Sequence, residues 1–83
     1  MNYTVIWKGE AERRLATLWI DATDRKALTD AANRIDILLS RDPEHLGESR
    51  EAGRRVLLDP PLGVVFSVLP DARTVLVLTV WAL

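Results

Sequence analysis

The sequence predicts an α+β domain over residues 1–83, in the order strand, helix, helix, strand, strand, strand, with both helices packed on one face of a four-stranded, largely antiparallel sheet. The prediction rests on a change of period. Apolar residues alternate in the first seven positions, recur at helical spacing from Ala11 to Leu39, and return to short β-branched runs divided by turn residues after Gly53. Composition agrees, because 48% of the 83 residues are hydrophobic and aromatics are only 6%. Such a mix suits strands and packed helices, and a domain this small needs it, since it buries only ~60–65% of the surface its unfolded chain exposes.

Tyr3 to Trp7 reads as the first strand, with Tyr3, Val5 and Trp7 alternating with Thr4 and Ile6, and Gly9 breaks it. From Glu10 the period is helical: Ala11, Leu15, Leu18, Trp19 and Ala22 form the apolar stripe, which places Trp19 in the core. Glu10 sits at the positive end of the helix dipole and four residues before Arg14. Thr23 and Asp24 are both able N-caps for a second helix carrying Leu28, Ala31, Ala32, Ile35, Leu38 and Leu39. Asp42-Pro43 ends it, and the short connection between the helices makes them antiparallel.

Glu44 to Gly53 is polar and unpatterned, with glycine at Gly47 and Gly53, so it reads as a loop. Three strands follow: Arg54 to Asp59, Gly63 to Leu69 and Thr74 to Leu83, divided by Pro60-Pro61 and by Pro70-Asp71-Ala72-Arg73. In the last, strict alternation puts Val75, Val77, Thr79, Trp81 and Leu83 on one side and Leu76, Leu78, Val80 and Ala82 on the other. Neither side is polar, and such a strand expects cover on both faces. Two helices cover one face only, so a partner is expected over the other, contacting Val75, Val77, Trp81 and Leu83.

Several function classes are disfavoured. A net charge of -1 argues against a large basic surface for gripping nucleic acid, although nine of the eleven basic residues are arginine and Arg50, Arg54 and Arg55 lie close together. The longest apolar run, Val75 to Leu83, is short of the ~20 residues of a membrane-spanning helix, and the first residues lack the pattern of a signal peptide. A cytoplasmic protein with no membrane role is expected. Cysteine is absent, and Asp21, Asp24, Asp30 and Asp36 do not form a metal-ligand spacing, so neither metal nor cofactor is expected.

The element order, together with Gly53-Arg54-Arg55-Val56-Leu57 and Leu62-Gly63-Val64-Val65-Phe66, resembles the RelE/ParE toxin superfamily of bacterial type II toxin–antitoxin, plasmid-stabilisation-like systems, over nearly the whole chain. The resemblance implies that the last strand lies beside the first, and that an antitoxin holds the protein inactive with a helix or an added strand. It implies one of two activities: metal-independent cleavage of messenger RNA on the ribosome, as in RelE-like members, or inhibition of DNA gyrase, as in ParE-like ones. The family's central Tyr-Arg-x-x-Tyr-like strand appears here with glycine at Gly63, where the phosphate-binding arginine would stand. No basic or tyrosine-bearing tail follows Trp81-Ala82-Leu83. These departures favour a ParE-like member, or one whose mRNA interferase activity has degenerated.

For catalysis or anion contact the candidates are Arg50, Arg54, Arg55 and His45. Each has a structural alternative: Arg54 and Arg55 as edge-strand arginines, Arg50 in a loop ion pair with Glu48 or Glu51, His45 as a surface residue. A second function class also stands, a non-enzymatic interaction module on the same fold, kept as a homodimer or a subunit, whose contact would run through Val75, Val77 and Trp81.

Overall fold

The computed structural model describes residues 2–83. Strand β1 (Thr4–Trp7) leads into helices α1 (Gly9–Asp21) and α2 (Arg25–Arg41), followed by β2 (Glu48–Ser49), β3 (Arg54–Asp59), β4 (Leu62–Leu69) and β5 (Thr74–Ala82). The sheet order is β1-β5-β4-β3-β2, with β1 parallel to β5 and every other pair antiparallel. The expected architecture is present, with the last strand beside the first, but the sheet has five strands rather than four. The additional one is β2, inside the stretch read as a loop. It forms because the chain turns at Gly47, where φ is +66°, and lays Glu48 and Ser49 against Val56 and Arg55. Arg55 holds the turn, its Nε donating to the Leu46 carbonyl at 2.8 Å.

Both helices lie on one face of the sheet, and the core between them is a single apolar cluster. Ala11, Leu28, Ala31, Ile35 and Leu39 meet Leu62, Val64, Phe66, Val75, Val77 and Val80, all at most 4% exposed. No polar side chain is buried among the described residues. Asp24 is the residue that caps α2, its Oδ1 accepting from the Ala27 amide at 3.0 Å. Asp24→Ala should therefore cost about 1 kcal/mol, read as a lower denaturation midpoint with unchanged slope.

Two expectations about burial fail. Trp19 is not in the core but 42% exposed. Its ring sits at the edge of the apolar stripe, where α1 meets α2: Nε1 donates to Thr29 Oγ1 at 3.1 Å, and the Arg25 guanidinium lies over the ring at 4.5 Å while donating to the Trp19 and Ile20 carbonyls. The second failure concerns β5. Val65 pairs with Thr79 but Phe66 pairs with Val77, so Leu78 is an extra residue, a β-bulge, and the alternation changes phase there. Val75, Val77 and Val80 all face the helices and are fully buried, while Leu76, Thr79 and Trp81 face away. Val75 and Val77, expected at a partner interface, are core residues; Trp81 keeps its place on the uncovered side.

Candidate functional site: the open sheet face

The sheet face opposite the helices is crossed by three rows of side chains. Ile6, Leu76, Ser67 and Arg54 form one; Thr79, Val65, Val56 and Glu48 the next; Trp81, Gly63 and Leu58 the third. The segment from Glu44 to Gly53 does not fold over this face: part of it is the edge strand β2, and Leu46 packs toward the core. Ile6 is 46% exposed and Leu58 and Leu83 are each 58% exposed, so the apolar surface expected opposite the helices is open to solvent.

In the third row the Trp81 indole lies across Gly63. A Cβ at Gly63 would stand 2.5 Å from Trp81 Cζ2 and 2.6 Å from Cε2, closer than real atoms approach. Glycine here is thus a requirement of the neighbouring ring, and any larger residue, arginine included, would have to displace Trp81. Leu58 flanks Gly63 on the other side through the β3–β4 register, giving an apolar platform across three strands.

Along the same face lies a cleft of about 470 Å³ lined by Lys8, Gly9, Glu10, Arg13, Arg54, Val65, Leu78 and Thr79. It is assembled from the end of β1, the first turn of α1, the start of β3 and the bulge of β5. Arg13 folds back over Gly9, whose missing side chain leaves the room: a Cβ there would be 3.2 Å from Arg13 Nη1. Lys8 occupies the N-cap position of α1 and has no side-chain acceptor to offer the first-turn amides. None of Lys8, Arg13 and Arg54 forms an ion pair among the described residues. Three cations thus border one apolar-floored cleft with a single carboxylate, Glu10, among them.

The candidates from sequence separate on this geometry. Arg54 lines the cleft. Its neighbour Arg55 points to the opposite side, donating to the Leu46 and Gly47 carbonyls at 2.8 and 3.3 Å. Arg50 pairs with Glu48 at 3.0 Å and also donates to the Ser49 carbonyl. His45, in the turn just after α2, places Nδ1 2.8 Å from Asp42 Oδ1 and does not line the cleft. Nearby, Tyr3 donates to Glu44 Oε1 at 2.7 Å, a bond that raises the phenol's pKa above its ordinary value. Arg50, Arg55 and His45 make these local contacts and do not line the cleft. The sequence reading missed Lys8 and Arg13; the available signal was a lysine where an N-cap acceptor is expected and an arginine one turn after a glycine.

A second apolar groove lies on the outer side of the helices, lined by Leu15, Ala16, Trp19, Ile20, Leu28 and Ala32. Among the described residues no helix is long and apolar enough to cross a membrane.

No protein-family model matches the sequence, and no curated protein does. Solved structures do match. A chain of the toxin–antitoxin complex RelBE2 from Mycobacterium tuberculosis is similar over 100% of this chain and 93% of its own, with a TM-score of 0.82 and 24% identity. A chain of the chromosomal ParDE toxin–antitoxin system from P. aeruginosa is similar over 98% of this chain and 96% of its own, with a TM-score of 0.76 and 19% identity. The conserved hypothetical protein HP0892 from Helicobacter pylori follows at a TM-score of 0.60 and 17% identity, over 96% of this chain and 93% of its own. The chain has the RelE/ParE fold.

Proposed function

We propose that the chain is the toxin-like member of a bacterial type II toxin–antitoxin pair, active in the cytoplasm and neutralised by an antitoxin that covers its open sheet face. The observation that carries this is the fold it shares, across nearly the full length of both partners in the comparison, with chains from RelBE2 and ParDE. The uncovered apolar face supports the same reading, because so small a domain gains from covering it.

Of the two activities that the resemblance implies, gyrase inhibition of the ParE kind is favoured over RNA cleavage. Cleavage without a metal needs groups to activate the 2′-hydroxyl, protonate the leaving oxygen and stabilise charge on phosphorus. Here the position of the phosphate-binding arginine is Gly63, beneath the Trp81 ring, and His45 and Arg55 are engaged away from Arg54. Induced expression should arrest bacterial growth, with loss of plasmid supercoiling preceding any loss of translation. Co-expression of the adjacent reading frame should restore growth. Growth that continues unchanged on induction overturns the reading. The alternative, a non-toxic homodimer joined through the same open face, draws on the exposure of Leu58 and Leu83 and would show as a dimer by sedimentation with no effect on growth.

A further inference from the structure

Helix α1 carries two stripes of side chains suited to packing, and the core uses only one. Ala11, Leu18 and Ala22 lie in or against the core. Glu12, Leu15, Ala16, Trp19 and Ile20 recur at i, i+3, i+4, i+7 and i+8 along the outer groove, a spacing that presents one face to another helix. Ile20 is 63% exposed there. We infer that this groove is a two-fold contact with a second copy of the chain, in which the α1 helices pack antiparallel about Ala16 and each Ile20 lies over Ala16 and Ala32 of the other copy.

Shape argues for a copy of the same chain. Trp19 bonds to Thr29, so Ala32, nearly one turn further along α2, stands toward Ala16, and two small side chains leave room between the helices. Ile20 projects from the same surface, which thus offers both a hole and a knob, as a self-complementary contact requires. Trp19 is already fixed, held by Thr29 on one side and by the Arg25 guanidinium over its ring, so it loses little freedom as an interface anchor. Charge argues for the antiparallel sense. Glu12, at one end of the stripe, forms no ion pair among the described residues. At the other end Arg25 donates through Nε and Nη2 to the Trp19 and Ile20 carbonyls, which leaves Nη1 unused. Antiparallel copies bring each Glu12 to the Arg25 end of the other, whereas parallel copies would set Glu12 against Glu12. A foreign helix would have to reproduce this pattern; a second α1 carries it already.

The test is sedimentation equilibrium from about 5 to about 200 µM, on the intact protein and on variants first shown to be folded by circular dichroism. A monomer–dimer equilibrium should appear. Ala16→Arg and Ile20→Glu, both at exposed positions of α1, should each raise its dissociation constant at least about tenfold, and Leu58→Glu on the open sheet face should leave it within about twofold. Cysteine is absent from the sequence, so single cysteines report the arrangement. Ala16→Cys should oxidise to a covalent dimer with itself, and Glu12→Cys should do so only when mixed with Ile20→Cys. A monomer at every concentration, a dimer indifferent to both α1 substitutions, a dimer lost in Leu58→Glu, or Glu12→Cys joining itself as readily as it joins Ile20→Cys would each overturn the inference. If one α1 variant fails to fold, the other and the cross-links still decide. Growth arrest plays no part in this readout, so the helix-side contact and the toxin reading can fail separately.

Discussion

Val77→Glu should leave the protein unfolded at neutral pH, while Thr79→Glu, two residues along the same strand, should leave it folded. Simple alternation puts both positions on one side of β5 and gives them one fate. The bulge at Leu78 separates them: Val77 is fully buried against the helices, and Thr79 is exposed on the far side. A carboxylate forced into the first site has no hydrogen-bonding partner, since no polar side chain is buried there. Burial of that kind costs on the order of 5 kcal/mol, comparable with the whole stability of about 5–10 kcal/mol expected of a small domain. Circular dichroism and thermal melting of the two variants check it. Equal effects at both positions would mean that the bulge is misplaced.

Gly63→Ala should destabilise the protein by about 1–3 kcal/mol, far more than the same change at an unconstrained position. The new Cβ meets the Trp81 ring at 2.5 Å, so the ring has to give up its packing over Gly63. Removing the ring removes the clash. Trp81→Ala should be destabilising through lost packing, yet adding Gly63→Ala to it should cost little further, giving a coupling of about 1–2 kcal/mol in a double-mutant cycle. Additive effects would contradict the contact. An arginine introduced at position 63 alone should be more destabilising than alanine, because a longer side chain must displace more of the ring.

Much of the fold was legible because the period of the apolar residues changes where the elements change. The stripe of α2 from Leu28 to Leu39 lies against the sheet as its spacing requires, and Asp24 caps where a capping residue stood. In β4, Val64 and Phe66 share the buried face that alternation gives them. The bulge was not legible, because the run from Val75 to Val80 offers a polar residue only at Thr79 and so nothing marks the extra residue. Trp19 was misplaced for a related reason: periodicity fixes the direction of a side chain but not whether a helix, a sheet or solvent lies there. Strand β2 depends on Arg55 reaching back to the Leu46 carbonyl, a tertiary contact with no local pattern. The cleft is of the same kind. Lys8 and Arg13 come beside Arg54 only once β1, α1 and β3 are in place, so the sequence could show Arg54 as a candidate and hide its companions.

The account depends on a sheet face that the chain leaves open to solvent, and Trp81 on that face and Trp19 on the helix side report on it directly. Hydroxyl-radical footprinting of the protein alone, and in complex with the product of its adjacent reading frame, measures the accessibility of both. Trp81, with Leu58 and Leu83, should lose most of its reactivity in the complex. Trp81 remaining as reactive as in the free chain, with protection confined to Trp19 and the outer helix groove, would contradict the assignment of the open face as the binding surface.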